Sequence, residues 1–415
     1  MKPITISKLA AASSAVFVIL LSMETDGFTF QNGFAGRRRL VVGKATSTPE
    51  TKVAKDATTN ENPEDDDRQS VRAPLKFMGP HCTYPAVGLK FPNLATKAQR
   101  AKNVTGISLD FLMDTAANTN TINGQVAKEL ELEVVGQSLP GMGAGGALAS
   151  GTTFLVGDCE LEGLPKEDQF TFMQNLTASA LPVASPAAAG LLSLPFFYAF
   201  EGGVEFQWGN SKKADEEGEE VLPPSVTFYG EGESDAILQE MTKVTVRDLP
   251  VTRLPAVDIV INGVTIPALL DTGSPITVIN AQAAEQAGVQ TVDFPGKVPK
   301  KEGGNPFSNF ANRFQEAKEM QQAAARGDVL SIAGSTGERI DLLKSNTLVQ
   351  VDLQAANKDE TVVFGETNIF VGNLPGLAAL DALGDDSPPA AVLGMDVLRM
   401  RPKMLLKARD NEVFF

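Results

Sequence analysis

Apolar residues are distributed along the chain in three regimes. The first is a single block, Leu9 to Leu21, behind Lys2 and Lys8. A membrane span needs about 20 apolar residues, so this shorter block reads as the core of a secretory signal peptide occupying residues 1–27. The second regime is a gap. Residues 50–72, ETKVAKDATTNENPEDDDRQSVR, are acidic and poor in apolar side chains, which is the composition of a disordered linker. With the leader behind it, this segment extends over residues 50–99. From residue 100 onward, short apolar runs alternate with polar positions and end at glycine or other turn residues. Period-two alternation over such lengths predicts strands and a mostly β fold.

Two of these runs stop at the same dipeptide. Gly106–Met113 leads into Asp114-Thr115, and Val257–Leu270 leads into Asp271-Thr272. The second run contains Asn262-Gly263 between alternating apolar positions, a hairpin signal. Aligned on the aspartates, FLMDTAANTNTINGQVAKEL and ALLDTGSPITVINAQAAEQA also share Ile122/Ile279, Asn123/Asn280, Gln125/Gln282 and Ala127/Ala284. The aspartates are 157 positions apart, the length of one small domain. Downstream elements recur in the same order. Each loop is followed by a glycine-bearing segment, Gly141–Gly151 and Ser331–Arg339, which predicts a mobile hairpin. Apolar runs come next, Ala189–Phe197 and Ala390–Leu398, each with a small residue inside it (Ser193, Gly394). Each half then closes in strands: Val204–Trp208 with Val226–Gly230, and Pro402–Leu406 with Glu412–Phe415. The pattern is an internal duplication with lobes at 100–240 and 241–415.

Charge and composition narrow the chemistry. The chain has 36 basic and 51 acidic residues, a net charge of −15. Residues 1–49 carry six basic and two acidic side chains, so the remainder stands at −19. So acidic a body is a poor phosphate binder, which argues against a nucleic-acid partner. One histidine (His81) and two cysteines (Cys82, Cys159) exclude multi-histidine and four-cysteine zinc sites and a disulfide scaffold. His81 and Cys82 are adjacent, so their side chains diverge in an extended segment and no third residue completes a nucleophile triad. Cys159 reads as a small buried hydrophobe, Phe196-Phe197-Tyr198 as core, and Ala214–Glu220 as a solvated acidic loop. Hydrolytic chemistry, if present, falls to carboxylates.

The duplicated order of aspartate loop, hairpin and apolar run resembles the aspartic peptidases, in particular two retropepsin-like units fused in one chain. LLDTGSPITVIN and VLGMDVL follow the family pattern well, while FLMDTAANTNTIN and LLSLPFF follow it with substitutions. The pepsin type fits less well, because the first loop lacks its Ser-x-Leu-Trp continuation and no flap tyrosine is found. The resemblance covers residues 100–415 and implies a mostly β, bilobal acid-protease fold: two related β-barrel-like lobes with short helices, sharing one cleft. It implies that Asp114 and Asp271 form a catalytic dyad acting on a polypeptide in an extended, largely apolar segment, with no metal or cofactor. Two carboxylates about 3 Å apart cannot both ionise easily, so they share one proton. The ionised member takes a proton from water and the protonated member polarises the carbonyl.

By the same resemblance, Thr115 and Thr272 hydrogen-bond across to the opposite loop, and Gly273 lets the backbone approach substrate. Gly143, Gly145, Gly334 and Ser335 mark the hairpin tips that close over a peptide bound as an added strand. Two residues depart from the pattern. Ala116 stands where the family has glycine. Ala117 faces Ser274, and the family hydroxyl at that position donates to the carboxylate, which implies that Asp271 is the more acidic partner. Duplication within one chain implies a monomer. The alternative function is a catalytically inactive, aspartic-peptidase-like peptide-binding protein.

Two segments stand outside the repeat. Residues 28–49 are basic and rich in Ser, Thr, Gly and Ala, and follow the signal-like block. Together they resemble the bipartite presequence of plastid proteins in algae with secondary plastids. Plain secretion or an endomembrane lumen is the other reading, with Arg37–Arg39 as a processing site or surface charge. Residues 296–330 insert between the second aspartate loop and its hairpin. Ser308 as a cap and Phe310, Phe314, Ala317 and Gln321 on one face predict a helix. It reads either as a surface helix packed on its own lobe or as a docking element.

Overall fold

The computed structural model describes residues 70–79, 82–138, 141–142, 148–149, 151–165, 169–181, 187–209, 222–247, 249, 252–293, 318–333, 339–357, 360–381 and 387–415. These residues form a mostly β, roughly bilobal fold of three main sheets and one small ribbon. An eight-stranded sheet belongs to the first half and a ten-stranded sheet to the second. A third sheet, of five strands, draws on both halves. In it Val71–Pro74 pairs with Ser225–Tyr229, which pairs with Gly203–Gln207, then Lys403–Lys407, then Glu412–Phe414.

The sheet paths correct the expectation of barrel-like lobes. The first path runs from an edge at Lys76–Met78 to an edge at Glu133–Gln137, and the second from Val329–Ala333 to Thr361–Thr367. A two-pair contact, Leu89 with Leu161 and Lys90 with Glu160, curls the first sheet without joining those edges. The outermost strands of each path do not pair with each other, so neither sheet as a whole is closed into a barrel. The first lobe also starts earlier than residue 100. Val71–Pro74, Lys76–Met78 and Tyr84–Phe91 are all strands, so the leader is folded rather than disordered over this stretch. Residues 1–69, with the presequence and most of the acidic linker, lie outside the described residues, as do residues 210–221.

Each half is organised around one hairpin. Ala256–Ile261 and Val264–Leu270 pair antiparallel from Ala256 with Leu269 to Ile261 with Val264. Asn262 and Gly263 make the turn with φ of 49° and 83°, the left-handed pair that a tight two-residue hairpin requires. In the first half Tyr84–Phe91 pairs with Ile107–Met113, from Ala86 with Leu112 to Phe91 with Ile107. Its connection is long, residues 92–106, and holds a short helix capped by Thr96 and Gln99. The structure thus exposes a further piece of the duplication: Pro85-Ala86-Val87 matches Pro255-Ala256-Val257. These are 170 positions apart rather than 157, and the longer first connection accounts for the difference.

Phenylalanine fills the first lobe. Phe172, Phe196, Phe200 and Phe228 pack with ring centroids between 4.6 and 6.2 Å apart. Phe196 and Phe197 are fully buried, as is Cys159, whose thiol burial pushes up to about 12. Of the inserted segment, residues 318–326 are helical, with Ala323 buried and Gln321 exposed. Ser308, Phe310, Phe314 and Ala317 lie outside the described residues.

Candidate active site

The two aspartates sit at equivalent ends of equivalent strands. Leu192 pairs in parallel with Met113, and Leu393 with Leu270, each one residue before an aspartate. The next amide in each loop continues the ladder: Asp114 N donates to Leu192 O at 2.8 Å, and Asp271 N to Leu393 O at 3.0 Å. The apolar runs that recur in the sequence are therefore the strands that brace the two loops from behind. Two residues past each bracing leucine, Leu194 N donates to Ala117 O at 3.0 Å and Met395 N to Ser274 O at 2.8 Å.

The loops meet face to face through their threonines. Thr115 N donates to Thr272 Oγ1 at 3.1 Å, and Thr272 N donates to Thr115 Oγ1 at 3.0 Å. Each hydroxyl then crosses to the other strand end, Thr115 Oγ1 to Leu270 O and Thr272 Oγ1 to Met113 O, both at 2.6 Å. All four bonds are buried, where a lost partner leaves an unpaired polar group costing about 1–3 kcal/mol. The arrangement ties the lobes together at one point and fixes the aspartates beside it.

Asp114 is 4% exposed and Asp271 is 3% exposed, and the two side chains interact directly. Burial pushes Asp114 up to about 7, against the opposing donation from Ala116 N at 2.9 Å. Burial and the charge of Asp114 hold Asp271 well above the usual carboxylate range, against donation from the Gly273 and Ser274 amides. Asp114 is therefore the first of the two to ionise, and its charge helps to hold the remaining proton on Asp271.

Gly273 is required by space: a Cβ there would stand 2.6 Å from Asp114 Cγ and from Asp114 Oδ2. Ala116 and Ala117 are buried in the equivalent loop. Ser274 does not play the part its position implied. Its hydroxyl donates to Ile276 O at 2.6 Å, so it is spent within its own turn and gives no reason to make Asp271 the more acidic partner.

The hairpin stems are present on both sides, Gly141–Met142 with Leu148–Ala149 and Val329–Ala333 with Arg339–Lys344. The tip residues Gly143, Gly145, Gly334 and Ser335 lie outside the described residues. Among the described residues no three His, Cys, Asp or Glu side chains gather into a metal-binding group, and no helix is long and apolar enough to cross a membrane.

Three further side chains belong to the site and escaped the sequence. Six residues past each aspartate, a polar side chain locks the brace. Asn120 Oδ1 accepts from Ser193 N at 2.9 Å and Ser193 Oγ at 3.1 Å, while Thr277 Oγ1 accepts from Gly394 N at 3.0 Å. Thr277 also donates to Asp396, through N at 2.9 Å and Oγ1 at 2.7 Å. Burial pushes Asp396 up to about 6. The constant six-residue offset from Asp was the available signal, but Asn opposite Thr is not an identity.

Comparison with known proteins gives a partial likeness. A family model described as aspartyl protease matches residues 257–303, which hold the second hairpin and the Asp271 loop. No curated protein matches the chain. Among solved structures, basic 7S globulin from soybean aligns at 12% identity with a TM-score of 0.43, over 84% of this chain and 95% of that one.

Proposed function

We propose that the chain is an aspartic-type endopeptidase that hydrolyses peptide bonds in extended, largely apolar segments. The observation that supports this reading is that Asp114 and Asp271 are two buried, interacting carboxylates on equivalent loops. The ionised carboxylate removes a proton from a water held between them. The resulting hydroxide adds to the peptide carbonyl carbon while the protonated carboxyl gives its proton to the carbonyl oxygen. As the C–N bond breaks, the newly protonated carboxyl gives its proton to the departing amine and the other carboxylate takes one from a hydroxyl of the tetrahedral species, so the pair again holds a single proton. The threonine cross-bonds hold both carboxylates in place through these steps, which lowers the cost of reorganisation. The singly protonated pair is the working form. Because Asp114 ionises at about 7 while its charge holds the proton on Asp271, the working form is expected to appear, and turnover to rise, as pH rises through that value.

The test compares the purified chain with Asp114→Asn and Asp271→Asn on a peptide library, with and without a transition-state-analogue inhibitor of aspartic peptidases. Cleavage that survives both substitutions rejects the mechanism.

A second reading is a peptide-binding protein of the same fold that does not hydrolyse. It is favoured by the first loop, where buried Ala116 and Ala117 stand opposite Gly273 and Ser274. Peptide binding with no cleavage at any pH selects it. In either case one chain supplies both loops, so a monomer is proposed. Residues 1–49 are proposed as a plastid-directing presequence, and a fluorescent fusion of that segment found only in the secretory route would reject this.

A further inference from the structure

The duplication is broken beside the dyad at one buried position. The first hairpin pairs as far as Ala86 with Leu112, and Tyr84 and Asp114 each lie two residues beyond that last pair. The second hairpin pairs as far as Ala256 with Leu269, and Leu254 and Asp271 lie two residues beyond that pair in the same way. Leu254 is 1% exposed and needs no partner, whereas Tyr84 is 3% exposed and carries a hydroxyl. Tyr84 packs with Ala86 and Leu112, and residues two apart along a strand share a face, so its ring belongs to the side of the sheet that bears Asp114. The charges of Asp271 and Asp114 both reach the phenol, and with burial as the larger cause they push it up to about 12. It is therefore a neutral donor throughout the pH range in which the pair holds one proton. It has no hydrogen-bond partner among the described residues, and it is not one of the fully buried polar atoms left unpaired.

The tyrosine is also held rigidly. Its backbone pairs with Met78, and its ring lies against Gly79, where a Cβ would stand 2.4 Å from Cδ2. The side chain packs in a small apolar cluster with Ala86, Leu112, Ala188 and Leu191. From the other lobe, Arg399 donates to Cys82 O at 3.3 Å and lies 4.2 Å over the ring of Phe77 on the neighbouring strand.

We propose that Tyr84 is a positioning residue of the cleft, whose free hydroxyl donates to a main-chain carbonyl of the bound peptide on the first-lobe side of the dyad. The inference rests on the peptide-cleft reading above and adds a donor that the aliphatic counterpart Leu254 cannot supply. It makes the two sides of the cleft chemically unequal: one offers a fixed hydrogen-bond donor, the other only apolar surface. A peptide then has a preferred direction across a nearly symmetric dyad.

Tyr84→Phe removes the hydroxyl and keeps the ring, and Tyr84→Leu copies the second lobe. Both are tested in the full chain by calorimetric binding of a peptide with a reduced, uncleavable bond, by KM and kcat on a cleaved peptide, and by thermal unfolding. The expected result is that Tyr84→Phe weakens peptide binding and raises KM about tenfold, with kcat changed less than about twofold and Tm unchanged or higher. A merely structural tyrosine would instead move Tm and leave KM alone. Peptide affinity and KM equal to wild type in Tyr84→Phe overturn the proposal while leaving the hydrolysis reading standing. Tyrosine-dependent binding by a wild-type chain that never cleaves supports the proposal and rejects hydrolysis. A wild-type chain that binds no peptide overturns both.

Discussion

Behind Asp271, Thr277 holds the brace through a buried carboxylate, donating twice to Asp396 and accepting from Gly394 N. Behind Asp114, Asn120 does the same task with no charge, accepting from the amide and hydroxyl of Ser193, and Pro195 stands where the second lobe has Asp396. The loops they support differ in the same sense. The second packs Gly273 directly onto Asp114, while the first accommodates the buried methyls of Ala116 and Ala117. Duplication thus preserved the backbone frame and let the side-chain solutions diverge. The lesson is that a pseudo-twofold site requires equal placement of two carboxylates, not equal means of placing them.

The comparison can be broken at several points. The largest effect is expected at the aspartates. Asp114→Asn and Asp271→Asn should each lower turnover of a cleavable peptide by at least about a thousandfold, because one side chain can no longer alternate between acid and base. Both are also expected to alter the stability profile. A carboxyl raised from 3.8 to about 7 in the folded protein favours the fold at low pH, and that advantage is lost as pH rises through the folded value. Wild-type Tm should therefore decline between pH 4 and 7, and Asp114→Asn should flatten the decline in a thermal-unfolding series. Equal declines in both proteins would contradict the burial argument.

Gly273→Ala comes next. A methyl 2.6 Å from Asp114 Cγ must displace that carboxylate, and misplacement on this scale costs about a hundredfold in turnover. Steady-state kinetics beside an unchanged circular-dichroism spectrum would isolate the effect. The lobe comparison predicts the opposite sign for Ala116→Gly, a gain of a few-fold, since it restores to the first loop what the second already has.

A third comparison reads stability alone. Thr277→Val removes the hydroxyl donor from a buried carboxylate, keeping the backbone one, and leaves Gly394 N unpaired, for a loss of about 2–3 kcal/mol in urea titrations. Asn120→Ala leaves neutral groups unpaired and should cost about 1–2 kcal/mol. Asp396 is pushed up to about 6, so below that pH it is protonated and no longer an uncompensated charge. The excess cost of Thr277→Val should shrink between pH 7 and pH 5, and a gap that stays constant would show that charge is not what separates the two braces.

Much of this frame is legible in the chain. Asp-Thr recurring after apolar runs, with Ile, Asn, Gln and Ala at matched offsets, identifies both loops, and Asn262-Gly263 identifies the second hairpin. The strands before residue 100 were obscured for a physical reason. Pro74, Pro85 and Pro92 interrupt or bound them, and two of the three strands are only three and four residues long, too short for a period to emerge. The matching Pro-Ala-Val triplets went unread because unequal hairpin connections shift them out of the register set by the aspartates.

Taken alone, the sequence determined the duplication, the placement of two carboxylates at strand ends and the scarcity of histidine that leaves hydrolysis to carboxylates. These are local properties of composition and period, which a linear chain displays directly. Which strands pair was decided only in three dimensions. Period two says that Gly203–Gln207 and Lys403–Lys407 are strands, but not that they lie side by side in a sheet drawn from both halves. The same holds for the open edges that replace the expected barrels, and for the Ser274 hydroxyl turned toward Ile276 O. Tyr84 comes near Asp114 only because a hairpin brings two distant stretches of chain side by side. Partner choice depends on the relative placement of distant segments, and no residue type records that.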